Sequence, residues 1–271
     1  MPNWCWNNLA VSGEKEDMEK FYDSLSKNKD GSIEFSFNDI LPMPKSLDIV
    51  SGTKVDWAVR ILNAEYRNDW EKIDRLIENP AWVEDAPVKN WMNEDEKRQV
   101  MLSYLKSQVS EKDLEMGETY LTNIEKYGHG NWYDWRCSNW GTKWDCSEPY
   151  INYADDDGFG VGFETAWAPP VGVIQAIGEK FPNLNIELEY SESGMGFGGT
   201  LGFQGGEYYD HEADMVWKSD CCGEDVHQEG WEEECEDLDI ESFEHCPKCK
   251  EQCEAEEHLD YGSPDLNICL N

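Results

Sequence analysis

Six cysteines fall between residues 221 and 253, in the stretch CCGEDVHQEGWEEECEDLDIESFEHCPKCKEQC. Cys246 and Cys249 form a C-P-K-C turn. Such a turn presents two thiolates to one ion and lets backbone N–H groups support the sulfurs, which is the shape of a zinc knuckle. Upstream, Cys222 precedes Gly223, where the second cysteine of a partner knuckle would stand, but the position for the first holds Ser219. The expected set is therefore a structural zinc held by Cys222, His227, Cys246 and Cys249. Cys221, Cys235 and Cys253 are the alternatives to His227 for the fourth place. The competing readings are free thiols in a loose tail and a redox C-x-x-C. The redox reading is disfavoured because no helix start follows Cys246.

The same stretch carries a run of acids: Glu232, Glu233, Glu234, Glu236, Asp237 and Asp239. The whole chain holds 58 Asp+Glu against 22 Lys+Arg, a net charge of −36 over 271 residues. From Glu207 to Asn271 there are 22 acids and 3 bases, a net of −19. Direct contact with a nucleic-acid backbone or an anionic membrane is electrostatically disfavoured. Basic proteins and cations are the expected partners, with solubility or adaptation to salt as the plain alternative. Zinc would link the two features. Metal binding supplies about 10 kcal/mol of apparent folding free energy and would fix the carboxylates at set spacings. A fixed array can copy the spacing of backbone phosphates, as a DNA mimic does.

Other candidates carry weaker chemistry. Four tryptophans lie in NWYDWRCSNWGTKWDC with Asp134, Arg136 and Lys143. Aromatics at this density form core, with a small-ligand or base-stacking site as the minor reading, and the net negative charge works against nucleic acid. YADDDGFGVGFE fails the calcium-loop template, because Tyr153 stands where the first carboxylate belongs, so a hairpin turn is expected. GMGFGG lacks the Lys-Ser/Thr of a phosphate loop. Cys5, Cys137, Cys146 and His129 show no mark of an activated thiol–imidazole pair, and each Cys reads as a small buried hydrophobe. Hydrolase elbows, HExxH helices and kinase loops are absent. No enzyme is expected.

The elements that must position these residues follow from periodicity. NWCWNNLAVSG reads as a strand. In the next segment Met18, Phe21, Tyr22 and Leu25 form one helix face. SIEFSF (32–37) alternates as a strand, and the prolines of LPMPKSL end it. Residues 55–127 are helical in period and propensity. A second β-α-β follows: DDDGFGVGFETA, then a helix started by Pro169 and Pro170 with Val173, Ile174, Ile177 and Phe181 on one face, then LNIELEY. The glycine- and aromatic-rich GMGFGGTLGFQGGEYYD suits an added hairpin, and ADMVWKS one more strand. The expected fold is α+β: a ferredoxin-like βαββαβ sandwich with a helical insertion, an extra β-hairpin and an acidic zinc-ribbon-like C-terminal module. The expected divisions are 1–50 and 131–217 for the two halves of the ferredoxin-like domain, 51–130 for the insertion and 218–271 for the module. The first residues carry no secretory pattern, and no apolar run is long enough to span a membrane. With ten cysteines and no signal, reduced thiols in the cytosol are expected.

MPNWCWNNLAVSG, FSFNDILPMP, WYDWRCSNWGTKWD and TAWAPP, taken as a set, resemble the YubB-like proteins of bacteriophages and conjugative plasmids. The resemblance covers about residues 1–50 and 130–217. It implies a ferredoxin-like domain and a mobile-element origin among accessory genes that manage host defences; it implies no catalytic residues. The resulting expectation is a non-enzymatic protein of the host cytoplasm that binds a basic host protein through its acidic surface and inhibits a nucleic-acid-handling anti-phage defence complex. The alternatives are a small-molecule or metal-handling protein that uses the Trp block, and a structural virion component.

Overall fold

The structure is a computed structural model that describes residues 3–50, 52–79, 83, 85–219 and 255–260. The elements run β1 (Trp4–Ser12), α1 (Lys15–Asp23), β2 (Ser26–Lys27), β3 (Ile33–Glu34), α2 (Phe37–Ile40), a 3-10 turn (Lys45–Leu47), α3 (Thr53–Arg67), α4 (Glu71–Glu78), α5 (Glu94–Gln108), α6 (Glu111–Tyr127), α7 (Trp132–Asn139), β4 (Ser147–Ala154), β5 (Gly158–Ala166), α8 (Val171–Lys180), β6 (Asn185–Glu192), β7 (Phe197–Gln204), β8 (Glu207–Ser219) and β9 (Ala255–Asp260). Among the described residues no helix is long and apolar enough to cross a membrane. The chain divides into two compact units, 1–42 with 139–271, and 43–138.

The first unit is built on an antiparallel sheet of order β4-β5-β1-β6-β7-β8-β9. Its first four members, read as β1-α1-β4-β5-α8-β6, have the sheet order β6-β1-β5-β4, the ferredoxin-like arrangement. One expectation is corrected here. The second strand of the motif is β4, not residues 32–37. Of SIEFSF only Ile33–Glu34 is extended, paired with Ser26–Lys27 in a separate two-stranded sheet. Phe35 and Phe37 are both buried, which is why the segment alternates. Phe37, however, begins helix α2, with Ser36 as its N-cap accepting from Asn38 N.

The three helices among the described residues of this unit lie on one face of the sheet. Phe21 of α1 meets Phe159 edge-on at 5.5 Å, Phe37 of α2 meets Phe163 at 5.6 Å, and Gly178 of α8 sits against the ring of Phe203. That face is closed by Cys5, Leu9 and Val11 from β1, Phe159, Val161 and Phe163 from β5, and Ile186 and Leu188 from β6. The expected helix face Val173, Ile174, Ile177 and Phe181 is buried, and burial of this apolar area is the main stabilising force.

The neck of the first unit is tied by the two tryptophan-block and FSFNDI segments. Asp145 accepts from Phe37 N at 2.7 Å, Ser36 Oγ at 2.7 Å and Asn38 Nδ2 at 3.2 Å. Trp140 is fully buried, meets Phe37 edge-on at 5.7 Å and donates Nε1–H to Leu41 O at 2.9 Å. These contacts join the residues at which the chain leaves for the helical unit and returns from it.

The helical unit holds α3 to α6 and most of α7. Its core gathers Ile61, Ile73, Leu76, Met101 and Leu105. Capping boxes start α5 at Asn93 with Glu96 and α6 at Ser110 with Asp113. Gly117 lets α6 approach α3, since a Cβ there would stand 2.9 Å from Ala58 Cβ.

Candidate functional site

Among the described residues, no helix of the first unit covers the other face of the sheet. Three cross-strand rows define it. One runs Ser147, Glu164, Trp6, Ser191, Gly198 and Ala213; the next Tyr150, Gly162, Asn8, Glu189, Thr200 and His211; the third Tyr153, Gly160, Ala10, Glu187, Gly202 and Tyr209. The floor is glycine and alanine. Aromatics stand over it with large exposed fractions: Trp4 39 %, Trp6 38 %, Tyr150 52 % and Tyr153 45 %. Glu164 of β5 lies between the two pairs of rings, Glu187 and Glu189 of β6 flank Trp4 and Trp6, and strands β1 and β4–β7 contain no Lys or Arg.

The glycines of β5 make this surface. A Cβ at Gly162 would be 2.2 Å from Tyr150 Cζ, and one at Gly160 would be 2.3 Å from Tyr153 Cε1. Both rings therefore lie flat over the strand, and each covers backbone that glycine leaves bare. Strict alternation would place Tyr150 and Tyr153 on opposite faces. A bulge prevents this: Ile151 pairs with Val161 and Tyr153 with Gly160, so Asn152 is the extra residue. Asn152 Nδ2 reaches over β5 to Asn8 Oδ1 at 3.0 Å. At one end of the face Trp4 meets Trp144 at 6.0 Å, and Lys143 Nζ lies 4.5 Å from the Trp144 ring centre. At the other, Tyr209 stacks on His211 at 5.5 Å and donates to Glu187 Oε2 at 3.4 Å.

The tryptophan block divides. Trp135 and Trp140 are core, as expected. Arg136 lies over the Trp132 ring at 5.2 Å, and Asp134 N is capped by Asn131 Oδ1 at 3.0 Å. The DDDG segment is the turn of the β4–β5 hairpin, closed by Asp155 Oδ1 accepting from Gly158 N at 2.9 Å. The thiols separate too. Burial pushes Cys5 up to about 12, and burial followed by the Asp145 charge pushes Cys146 up. Neither is poised as a nucleophile. Cys137 is exposed, unlike the small buried hydrophobe expected.

The proposed zinc ligands Cys222, His227, Cys246 and Cys249, their alternatives, and the acids Glu232, Glu233, Glu234, Glu236, Asp237 and Asp239 lie outside the described residues. The segment 220–254 that contains them is bounded by paired strands, Ser219 opposite Ala255. The described parts of 218–271 thus belong to the seven-stranded sheet. Among the described residues no cluster of His, Cys, Asp or Glu could hold a metal ion.

Comparison with known proteins bears on this unit. Residues 140–259 match the family model of the ferredoxin-like domain in Api92-like protein. The match takes in β4, β5, α8 and β6 to β8, and leaves out β1 and α1, which complete the motif. Among solved structures, the crystal structure of a protein Api92 from Yersinia pseudotuberculosis is 12 % identical, with a TM-score of 0.38, covering 79 % of this chain and 98 % of that one. No curated protein matches the chain.

Proposed function

We propose that the chain is a binding protein without catalytic chemistry of its own, and that its open sheet face holds a basic segment of a partner protein. One observation carries the reading: four exposed aromatic rings share a face with Glu164, Glu187 and Glu189, over strands devoid of Lys and Arg. A guanidinium or ammonium within about 6 Å of such a ring gains about 0.5–1 kcal/mol at exposed sites. An arginine fork can also meet a carboxylate with two hydrogen bonds. The net charge of −36 would speed the approach of a basic partner and make it sensitive to salt.

The more specific form of the proposal rests on the resemblance to YubB-like proteins. In it the chain is a mobile-element product of the host cytoplasm, and the basic partner belongs to a defence complex that handles nucleic acid. The acids from Glu232 to Asp239 then form a second acidic surface, held rigid by zinc on Cys222, His227, Cys246 and Cys249. The test is capture of partners by the tagged full chain in its host at low and high salt. It is run beside a Glu187→Gln/Glu189→Gln variant and a variant with the six acids of 232–239 neutralised. A basic partner lost at high salt and in the sheet-face variant supports the reading. Retention of every partner by the sheet-face variant contradicts it.

A further inference from the structure

We propose that a hollow in the helical unit binds a small molecule bearing an oxyanion, a phosphate or a carboxylate, on a flat apolar body. The hollow has a volume of about 340 Å³ and is lined by Asp56, Val59 and Arg60 of α3, Lys72 and Arg75 of α4, and Tyr120 of α6. That volume is in the range of small-molecule sites. Bases are scarce in this chain, 22 Lys+Arg against 58 Asp+Glu, yet three line this one cavity with a single carboxylate. A second hollow of the same volume in the same unit has the ordinary character of this protein: it holds Glu118, Glu125 and one base, Arg67, which is paired with Glu125.

The cations are arranged to receive charge. Arg60 is half-buried, and one of its nitrogens donates to Lys72 O, which fixes the guanidinium. Burial lowers its pKa, Asp56 pulls the other way and Arg75 adds a smaller repulsion. With three bases against one carboxylate, the lining of the cavity is positive. Lys72 Nζ has no hydrogen-bond or ion-pair partner among the described residues. Among the described residues the Arg75 guanidinium pairs with Glu71 alone, in an exposed pair of the kind that contributes little. A planar fork beside a mobile ammonium suits phosphate or carboxylate oxygens. The Tyr120 ring, whose atoms would come within 2.4 Å of a Cβ at Gly130, is held against the backbone there and forms a flat wall with Val59.

This inference is independent of the sheet-face reading. Its test is isothermal titration of the full chain with phenyl phosphate at physiological salt, with inorganic phosphate as competitor. Saturable binding is expected, displaced by phosphate, and weakened at least about tenfold in Arg60→Gln/Lys72→Gln, a loss equivalent to about 1.4 kcal/mol. Lys112→Gln, a surface change at the start of α6, leaves it unaltered. Should Arg60→Gln fail to fold, Lys72→Glu, at an exposed position, carries the same expectation. Absence of binding up to about 10 mM, or equal affinity in wild type and Lys72→Glu, overturns the proposal.

Discussion

Asn152 and Asn8 are joined by a 3.0 Å hydrogen bond that passes over an entire strand. They sit on β4 and β1, with β5 between, so their backbones are about two strand spacings, roughly 10 Å, apart. The contact exists because β5 is glycine where it is crossed and because Asn152 is the extra residue of the bulge. The same bulge brings Tyr150 and Tyr153 onto one face. The recognition surface is thus a product of backbone irregularity and missing side chains, and it is sensitive to small additions.

Gly162→Val tests this sensitivity. The new Cβ would meet the Tyr150 ring at 2.2 Å, and the ring must leave the strand. A stability loss of about 1–3 kcal/mol is expected, as for other overpacking changes. Urea unfolding measures it. Tyr150→Ala in the same background should recover much of the loss, because the clash is with that ring.

Asp145→Ala tests the neck. The carboxylate accepts from a backbone N–H of α2, a serine and an asparagine. Hydrogen bonds to a charged group contribute about 1.5–3 kcal/mol each, and they are not additive. A loss of about 2–4 kcal/mol in urea unfolding is expected, with Asp145→Asn intermediate. Equal stability of wild type and Asp145→Ala would show that the neck does not depend on this carboxylate.

Much of the first unit was legible in the sequence. β1, α1, α8 and β6 show clean periods because each has one buried and one solvated side, as in the alternation of Cys5, Asn7, Leu9 and Val11. β4 was hidden for two reasons. It is an edge strand with nearly every residue exposed, and its register breaks twice, so no period of two survives. Residues 32–37 misled for the opposite reason: Phe35 and Phe37 are both buried, one in a loop and one in a helix. The signal that distinguishes them was present. Ser36 followed three residues later by Asp39 is a helix-start pattern. The sheet face had a weaker sign in Gly158, Gly160 and Gly162 beside a tyrosine-rich strand. The basic hollow had none, since Arg60 of α3 and Tyr120 of α6 come to line one cavity only through helix packing.

Alkaline pH should destabilise the protein through its buried thiols. Cys5 is raised from an ordinary 9.0 to about 12, and Cys146 is raised as well. The folded state keeps protons that the unfolded chain releases above pH 9, so stability is full below that pH and falls as pH rises toward 12. The expected loss at pH 10.5 is about 2–4 kcal/mol for the two groups. Tyr190, raised from 10.0 to about 12 chiefly by burial, adds in the same direction. Urea unfolding at pH 8 and 10.5 checks this, and Cys5→Ala should flatten the dependence.

Zinc on Cys222, His227, Cys246 and Cys249 is testable without knowing the partner. Metal analysis of protein purified without chelator should find about one zinc per chain, lost in Cys246→Ser/Cys249→Ser, in keeping with a four-ligand site. Partner capture that survives in the metal-free variant would separate the metal from the binding function.

The central claim, that the open sheet face takes a cationic segment, is tested most directly by the indole N–H signals of the tryptophans. These are followed by NMR as an arginine-rich peptide is added at physiological salt. The signals of Trp4 and Trp6, assigned by replacement with Phe, should shift and saturate, that of the buried Trp140 should stay, and Glu187→Gln/Glu189→Gln should weaken the response severalfold. A peptide that binds while the Trp4 and Trp6 signals remain still would contradict the account.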